Sequence, residues 1–433
     1  MSFTYVHIVR GMLLASIMIA AFAKGANVAP NEAETVAIPS SITREQAVSI
    51  ALERNPEYLA IKQDVKFARA TRQRVDGWKS PTLFWEFEEA KSTDPGSFGN
   101  QSVGIEQSID WMGATRARKR VANLGINIAT ISLERARLRV VSQVSKAVDQ
   151  VLLAQSINRL VSETIQYANE ALAITRSRFQ SGQGSYVDLL RIRIAAKRLD
   201  AEGRNTIIKL KRSKRALAVL LGAEESRPLK VLGQMDYVSL TSDRASWVAT
   251  TLERSPSLKI MQQEVDHAKE SYVAIRKERG PNMTLGIGRQ RLYDGFNADY
   301  AWTGKVELSF PLPGTDRQRG REGEANAAYN AMRHRNNQRR LALKARLQQH
   351  FEKTASLSTQ LADYQRIILP DVKDQRKAAQ QAYRVRRIDA LNLLDVYRTF
   401  LDTQIDYLET LAEYKAARVD LDTLGENLSE TEQ

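Results

Sequence analysis

The sequence predicts a mixed α/β protomer, internally duplicated, in which four β-strands are joined to very long α-helices. Three observations predict it. Leu52-Glu53-Arg54-Asn55-Pro56 is echoed by Leu252-Glu253-Arg254-Ser255-Pro256. The hydrophobic period switches from helical to alternating and back, once in each half. No proline falls between Pro95 and Pro228, which leaves room for a helix far longer than the usual length of about 11–12 residues.

The chain begins with a segment that reads as a signal peptide over residues 1–23. Arg10 is basic, residues 11–23 are apolar or small, and Ala21-Phe22-Ala23 fits a small-x-small cleavage site. The apolar run is too short to span about 30 Å of hydrocarbon, and no later stretch approaches a transmembrane helix. Residues 24–41 read as an extended leader. The 433 residues carry a formal net charge of +14 with 43% hydrophobic content, ample for a large core or two domains. There is no cysteine, which excludes disulfides and thiolate metal sites. Basic clusters such as Arg116–Arg120 and Lys209–Arg215 have no nucleic-acid-binding signature beside them. For an exported chain they read as solvated faces, and no nucleic-acid partner is expected.

The first repeat covers residues 42–222. Thr43 with Gln46 makes a capping box for a first helix, and Asn55-Pro56 separates it from a second, about 57–76. Leu83, Trp85 and Phe87 then alternate with Phe84, Glu86 and Glu88. After a polar turn, Val103, Ile105 and Ile109 alternate with Ser102, Gly104, Glu106 and Ser108. This predicts a β-hairpin over 82–110 with one apolar face. A helix of about 114–178 follows, roughly 98 Å long at about 1.5 Å per residue. Its expected packing stripe is Leu153, Ile157, Leu160, Thr164, Tyr167, Ala171 and Ile174, at coiled-coil spacing. Ser181-Gly182-Gln183-Gly184-Ser185 reverses the chain, and a return helix of about 185–221 ends at Gly222.

After a linker, 223–242, the second repeat (243–425) follows the same plan. Met283, Leu285 and Ile287, then Trp302, Val306, Leu308 and Phe310, form the apolar face of a hairpin over 282–311. A second rod, about 316–384, contains Pro370, which is expected to kink or divide it. A return helix ends at Gly425, and residues 426–433 form an acidic tail.

Four amphipathic strands leave two unpaired edges and one exposed apolar face. In lipid such edges are prohibitive, and only closed barrels survive. Several copies must then supply one barrel, with the thirteen apolar positions named above facing lipid. The same spacing also fits a soluble four-stranded sheet beside a helical bundle.

The duplicated plan, Ala51–Pro56 with its echo, and Phe179-Gln180-Ser181-Gly182-Gln183-Gly184-Ser185-Tyr186-Val187-Asp188-Leu189-Leu190 together resemble the TolC-like outer membrane efflux protein family. Ser80-Pro81-Thr82-Leu83 with Glu86–Glu89, and Ile105–Gly113 leading to Arg116 and Arg118, resemble its CzcC/CusC-like heavy-metal efflux branch. The resemblance implies a membrane channel: a homotrimer with a 12-stranded β-barrel in outer-membrane lipid and a periplasmic helical barrel. It also implies two protein partners, a periplasmic adaptor (membrane fusion protein) and an inner-membrane transporter of the resistance-nodulation-division (RND) type. Gly182, Gly184, Asp188 and Leu189 match the family's tip segment and are expected to contact the adaptor. In the second tip Arg386, followed by Arg387, stands where the family carries glycine. Asn392 and Asp395 align with positions that form acidic rings in some relatives and are the gate candidates.

No enzyme is expected. His267, His334 and His350 are scattered, no metal or cofactor cluster is legible, and Gly286-x-Gly288 lies in a strand pattern rather than a nucleotide loop. The leading expectation is the exit duct of a tripartite pump for heavy-metal cations. A duct for drug efflux or type I protein secretion, and a periplasmic helical scaffold, are the alternatives.

Overall fold

A computed structural model describes residues 39–77, 79–91, 97–110, 113–223, 229–241, 243–293, 297–310, 316–385 and 387–425. The expected signal peptide, nearly all of the leader, the acidic tail and Arg386 lie outside the described residues.

β1 (Ser41–Ile42) precedes α1 (Arg44–Arg54) and α2 (Pro56–Asp76). The capping box forms as the sequence indicates. The Gln46 N–H donates to the Thr43 hydroxyl at 3.4 Å, and the Thr43 N–H donates to the Gln46 side-chain oxygen at 3.0 Å. Asn55 ends α1 and caps α2, accepting from the Tyr58 N–H at 3.1 Å, while Pro56 occupies the first turn, where its missing N–H costs nothing.

The hairpin strands are β2 (Thr82–Lys91) and β3 (Ser97–Ile109). They lead through Gly113, at φ 77°, into α3 (Ala114–Gln180), a single helix of 67 residues. It returns as α4 (Tyr186–Leu220), and the Asn55 amide donates to the Leu220 carbonyl at 3.0 Å, tying the start of the repeat to its end. The linker holds β4 (Lys230–Val231), and the second repeat opens with α5 (Arg244–Arg254) and α6 (Pro256–Lys277). The second hairpin is β5 (Asn282–Tyr293) and β6 (Ala298–Ser309). α7 (Asp316–Asp363), a π-helical turn (Tyr364–Ile368), α8 (Leu369–Arg384) and α9 (Ala390–Gly425) complete it.

Three differences from the sequence reading have physical causes. First, β1 pairs in parallel with β4, joining Ser41 to Lys230 and Ile42 to Val231. The end of the leader and the linker therefore meet, in strands of two residues that are too short to show a period. Second, the deeply buried stripe on α3 is Val161, Thr164, Ala168, Ala171 and Thr175. It lies beside the expected stripe and shares only Thr164 and Ala171 with it. Small side chains let neighbouring helices approach closely, so the bulkier Ile157, Leu160 and Tyr167 sit at its half-buried flank, and Ile174 is exposed. Third, the break in the second rod precedes Pro370. Proline has no N–H to donate, and its ring crowds the carbonyl four residues back. The ladder yields there, as the π turn.

The core is strung along the rods. α3 packs against α1, α2, α4, α6 and α9, and α9 in turn packs against α7 and α8. One cluster gathers Ala171, Ile192, Ala379, Tyr383, Leu393 and Tyr397 near the helix corners. Another joins Leu357, Leu361, Leu411, Tyr414 and Ala417. Among the described residues, no helix is long and apolar enough to cross a membrane.

Candidate channel wall and helix tips

The four long strands form one antiparallel sheet in the order β2-β3-β5-β6. Its register decides which side chains share a face. Leu83, Ile105 and Ile287 stand in one cross-strand row, ending at Gly304. Trp85, Val103, Arg289 and Trp302 make the next, so the two edge strands carry tryptophan at the same level. Ile109, Met283 and Leu308 make another. Trp85 is 79% exposed and Trp302 75%, and Leu83, Phe87, Val103, Ile105, Leu285, Ile287, Val306, Leu308 and Phe310 are exposed as well. Ile109 and Met283 are half-buried, at the helix end of the sheet. The twelve apolar candidates that lie in the strands therefore share one face, and Phe310 directly follows β6.

The opposite face carries Glu86, Ser102, Glu106, Gln290 and Lys305. Lys305 bridges to Glu106 at 2.6 Å across β5, where Gly286 leaves room. Phe84 and Leu292 are apolar residues on this side. The Phe84 ring lies over Gly104 and Gly288, where added Cβ atoms would stand 2.6 and 3.2 Å from it.

At the first corner Gly182 adopts φ 73°, a left-handed conformation that glycine takes at little cost, and a Cβ there would meet nothing within 4 Å. Gly184 is different: a Cβ would come within 3.1 Å of the Phe179 nitrogen. The turn closes with the Gln183 N–H donating to the Arg178 carbonyl at 2.8 Å. The Ser185 hydroxyl caps α4 by accepting from Val187 at 3.1 Å. Asp188 and Leu189 follow, half-buried in the first turn of α4. The second corner lacks a glycine. Its turn closes through the Arg387 N–H donating to the Ala382 carbonyl at 2.8 Å, and Asp389 accepts from the Asn392 N–H at 2.7 Å. Arg387 is exposed, as are Asn392 and Asp395 on the first turns of α9.

Sequence reasoning missed what holds the two corners together. The buried Tyr383 hydroxyl lies 3.3 Å from the Thr175 hydroxyl, and the Arg178 guanidinium lies 4.8 Å from the centre of the Tyr383 ring. Tyr167 stacks on Tyr397 with centroids 5.4 Å apart, and Arg376 lies 4.3 Å from the Phe400 ring centre. These contacts join residues far apart in the chain, and no local sequence signal marks them. Among the described residues, no group of three or more histidine or acidic side chains could hold a metal ion.

Residues 47–223 and 247–425 each match the outer membrane efflux protein family, one match per repeat. The chain belongs to that family. By that membership this protein is an outer-membrane efflux channel. It is 22% identical to the cobalt-zinc-cadmium resistance protein CzcC of Cupriavidus metallidurans over 377 residues, covering 87% of this chain and 88% of that protein. The CusC channel structure superposes with a TM-score of 0.68 at 17% identity, covering 88% of this chain and 91% of CusC. The CmeC outer membrane channel of Campylobacter jejuni gives 0.72 at 14% identity, covering 88% and 85%.

Proposed function

We propose that this efflux protein is the exit duct of a tripartite RND-type pump, working as a homotrimer and passing heavy-metal cations. The observation that carries the trimer is the sheet: four strands, both outer edges unpaired, and one largely apolar face that Arg289 and Gln107 interrupt. A sheet of this kind persists in lipid only when its edges are closed, and three copies supply the twelve strands that the family resemblance implies. The polar face then lines the passage, and the helices carry it across the periplasm. Likeness to CzcC over most of both chains supports a cargo of divalent cations such as cobalt, zinc or cadmium.

In this reading Gly182, Gly184, Asp188, Leu189, Arg386 and Arg387 meet a periplasmic adaptor, which links the duct to the inner-membrane transporter. Asn392 and Asp395 lie beside the passage as gate residues. Passage needs no tight first-shell metal site, because weak, multiple contacts let an ion leave as readily as it enters.

Deletion of the gene in its host is expected to sensitise cells to zinc, cobalt or cadmium salts, with rescue by the full-length chain. Sensitivity to antibiotics with unchanged metal tolerance would move the cargo to drugs. A water-soluble monomer outside the outer-membrane fraction would overturn the duct.

A further inference from the structure

A groove of about 790 Å³ opens between α4 and α9, with Thr164 and Ala168 of α3 at its floor. With Glu202 of α4 and Arg398 of α9 also in its lining, α4 presents Arg191 and Arg198 to it, and α9 presents Asp395 and Asp402. These four residues are all exposed. Among the described residues, the side chains of Arg191, Arg198 and Asp395 have no ion-pair or hydrogen-bond partner, and Asp402 has only Arg398 at 3.8 Å. The pattern is ordered. α4 starts at Tyr186 and α9 at Ala390. Counted from those starts, Arg191 and Asp395 occupy the same position, and Arg198 and Asp402 share the position one heptad on. The two repeats therefore place opposite charges at equivalent sites, on helices that both begin at the tips and flank one groove.

We infer that Arg191 and Arg198 are ion-selectivity determinants of the duct, offsetting the carboxylates of Asp395 and Asp402 across the α4–α9 groove. This rests on the exit-duct reading. In a ring of copies, first-repeat and second-repeat hairpins alternate, so each level carries guanidinium and carboxylate groups in equal number. An acidic ring alone would draw cations and oppose anions. Interleaved guanidinium groups oppose that field within the roughly 8–10 Å over which it survives physiological salt. The tip of this duct then discriminates weakly by charge, and the arginines set how weakly.

The test uses the full-length chain reconstituted in planar bilayers, with the potassium-to-chloride permeability ratio read from reversal potentials in a KCl gradient. Arg191→Gln with Arg198→Gln is expected to raise that ratio about threefold or more. Asp395→Asn with Asp402→Asn is expected to lower the ratio, because the guanidinium groups are then unopposed, and the arginine changes should raise it again in that background, since the fields of fixed charges sum. An unchanged ratio on removing the arginines, in either the Asp or the Asn background, would overturn the inference while leaving the duct reading intact. No conductance from the unaltered protein would overturn the duct reading itself. Should a double variant fail to assemble, Arg191→Gln and Asp395→Asn with their combination apply the same criterion.

Discussion

Asp149 shows how one buried carboxylate organises the region where the repeats meet. It sits on α3 with its side chain 2% exposed and is paired to Arg44 of α1, whose side chain is 32% exposed. Burial holds its carboxyl above the ordinary aspartate value of 3.8, against the pull of Arg44 and Lys415. The two partners are unequal. Arg44 can turn to water if Asp149 is removed, whereas Asp149 cannot if Arg44 is removed. Arg44→Ala is therefore expected to cost about 3–5 kcal/mol, the usual penalty for stranding a buried charge, and Asp149→Ala less. The sign with pH follows from the raised value. The folded state holds its proton more tightly than the unfolded state, so ionisation subtracts stability as pH rises from 3.8 through the folded value. The Arg44→Ala penalty should be largest near neutrality and shrink on acidification, as Asp149 is neutralised. Denaturation midpoints of the detergent-solubilised protein at pH 7 and pH 4.5 check this, and an equal penalty at both would refute it.

At the scale of elements, the second rod carries an extra residue. Its buried positions run Leu347, Phe351, Thr354, Leu357 and Leu361 at spacings of three and four, and then jump to Leu369. That step is one residue longer than a heptad. The π turn at Tyr364–Ile368 absorbs the surplus, so α7 and α8 keep one face toward α9. Pro370 places the surplus where a backbone donor is already missing. Pro370→Ala alone should leave the turn in place, since the extra residue remains. Deleting the exposed Ile367 together with Pro370→Ala should give a continuous helix. Amide exchange over 364–372 would then slow by about tenfold, the equivalent of about 1.4 kcal/mol in local opening. Unchanged exchange in the combined variant would show that neither feature sets the turn.

The same stretch shows which parts of the fold were legible. Hairpins and rods were readable because period, glycine corners and Asn55-Pro56 are local signals that agree with one another. The π turn was half-legible, because proline marked a break but the strain relaxed upstream of it. The β1–β4 pairing and the Tyr383 contacts join segments whose meeting depends on tertiary packing. The opposed charges of the α4–α9 groove stood in the repeat all along. They acquired meaning only when the structure put both helices on one groove.

At the scale of the whole molecule, the decisive question is which medium each face of the sheet meets. The row Leu83, Ile105, Ile287 presents a continuous apolar surface, and its edge strands end in free backbone donors and acceptors. If β6 of one copy lies beside β2 of the next, Trp302 and Trp85 approach across each seam at a shared depth. That arrangement suits the aromatic girdle of a membrane barrel. In the proposed barrel the polar face, which carries Glu86, Ser102 and Gln290 in register, would meet water in the passage. The two faces should therefore respond differently to the same charge. Ile287→Arg puts a guanidinium into hydrocarbon and is expected to cost about 2–4 kcal/mol per copy if it lies near the bilayer midplane, with a matching loss of trimer in the outer-membrane fraction. Gln290→Arg adds the same charge three residues along, on the opposite face, where water solvates it, and should leave trimer yield nearly unchanged. Seminative gels of outer-membrane extracts compare the two directly. Equal yields would mean that the apolar face does not meet lipid, and a barrel built from three such sheets would no longer follow.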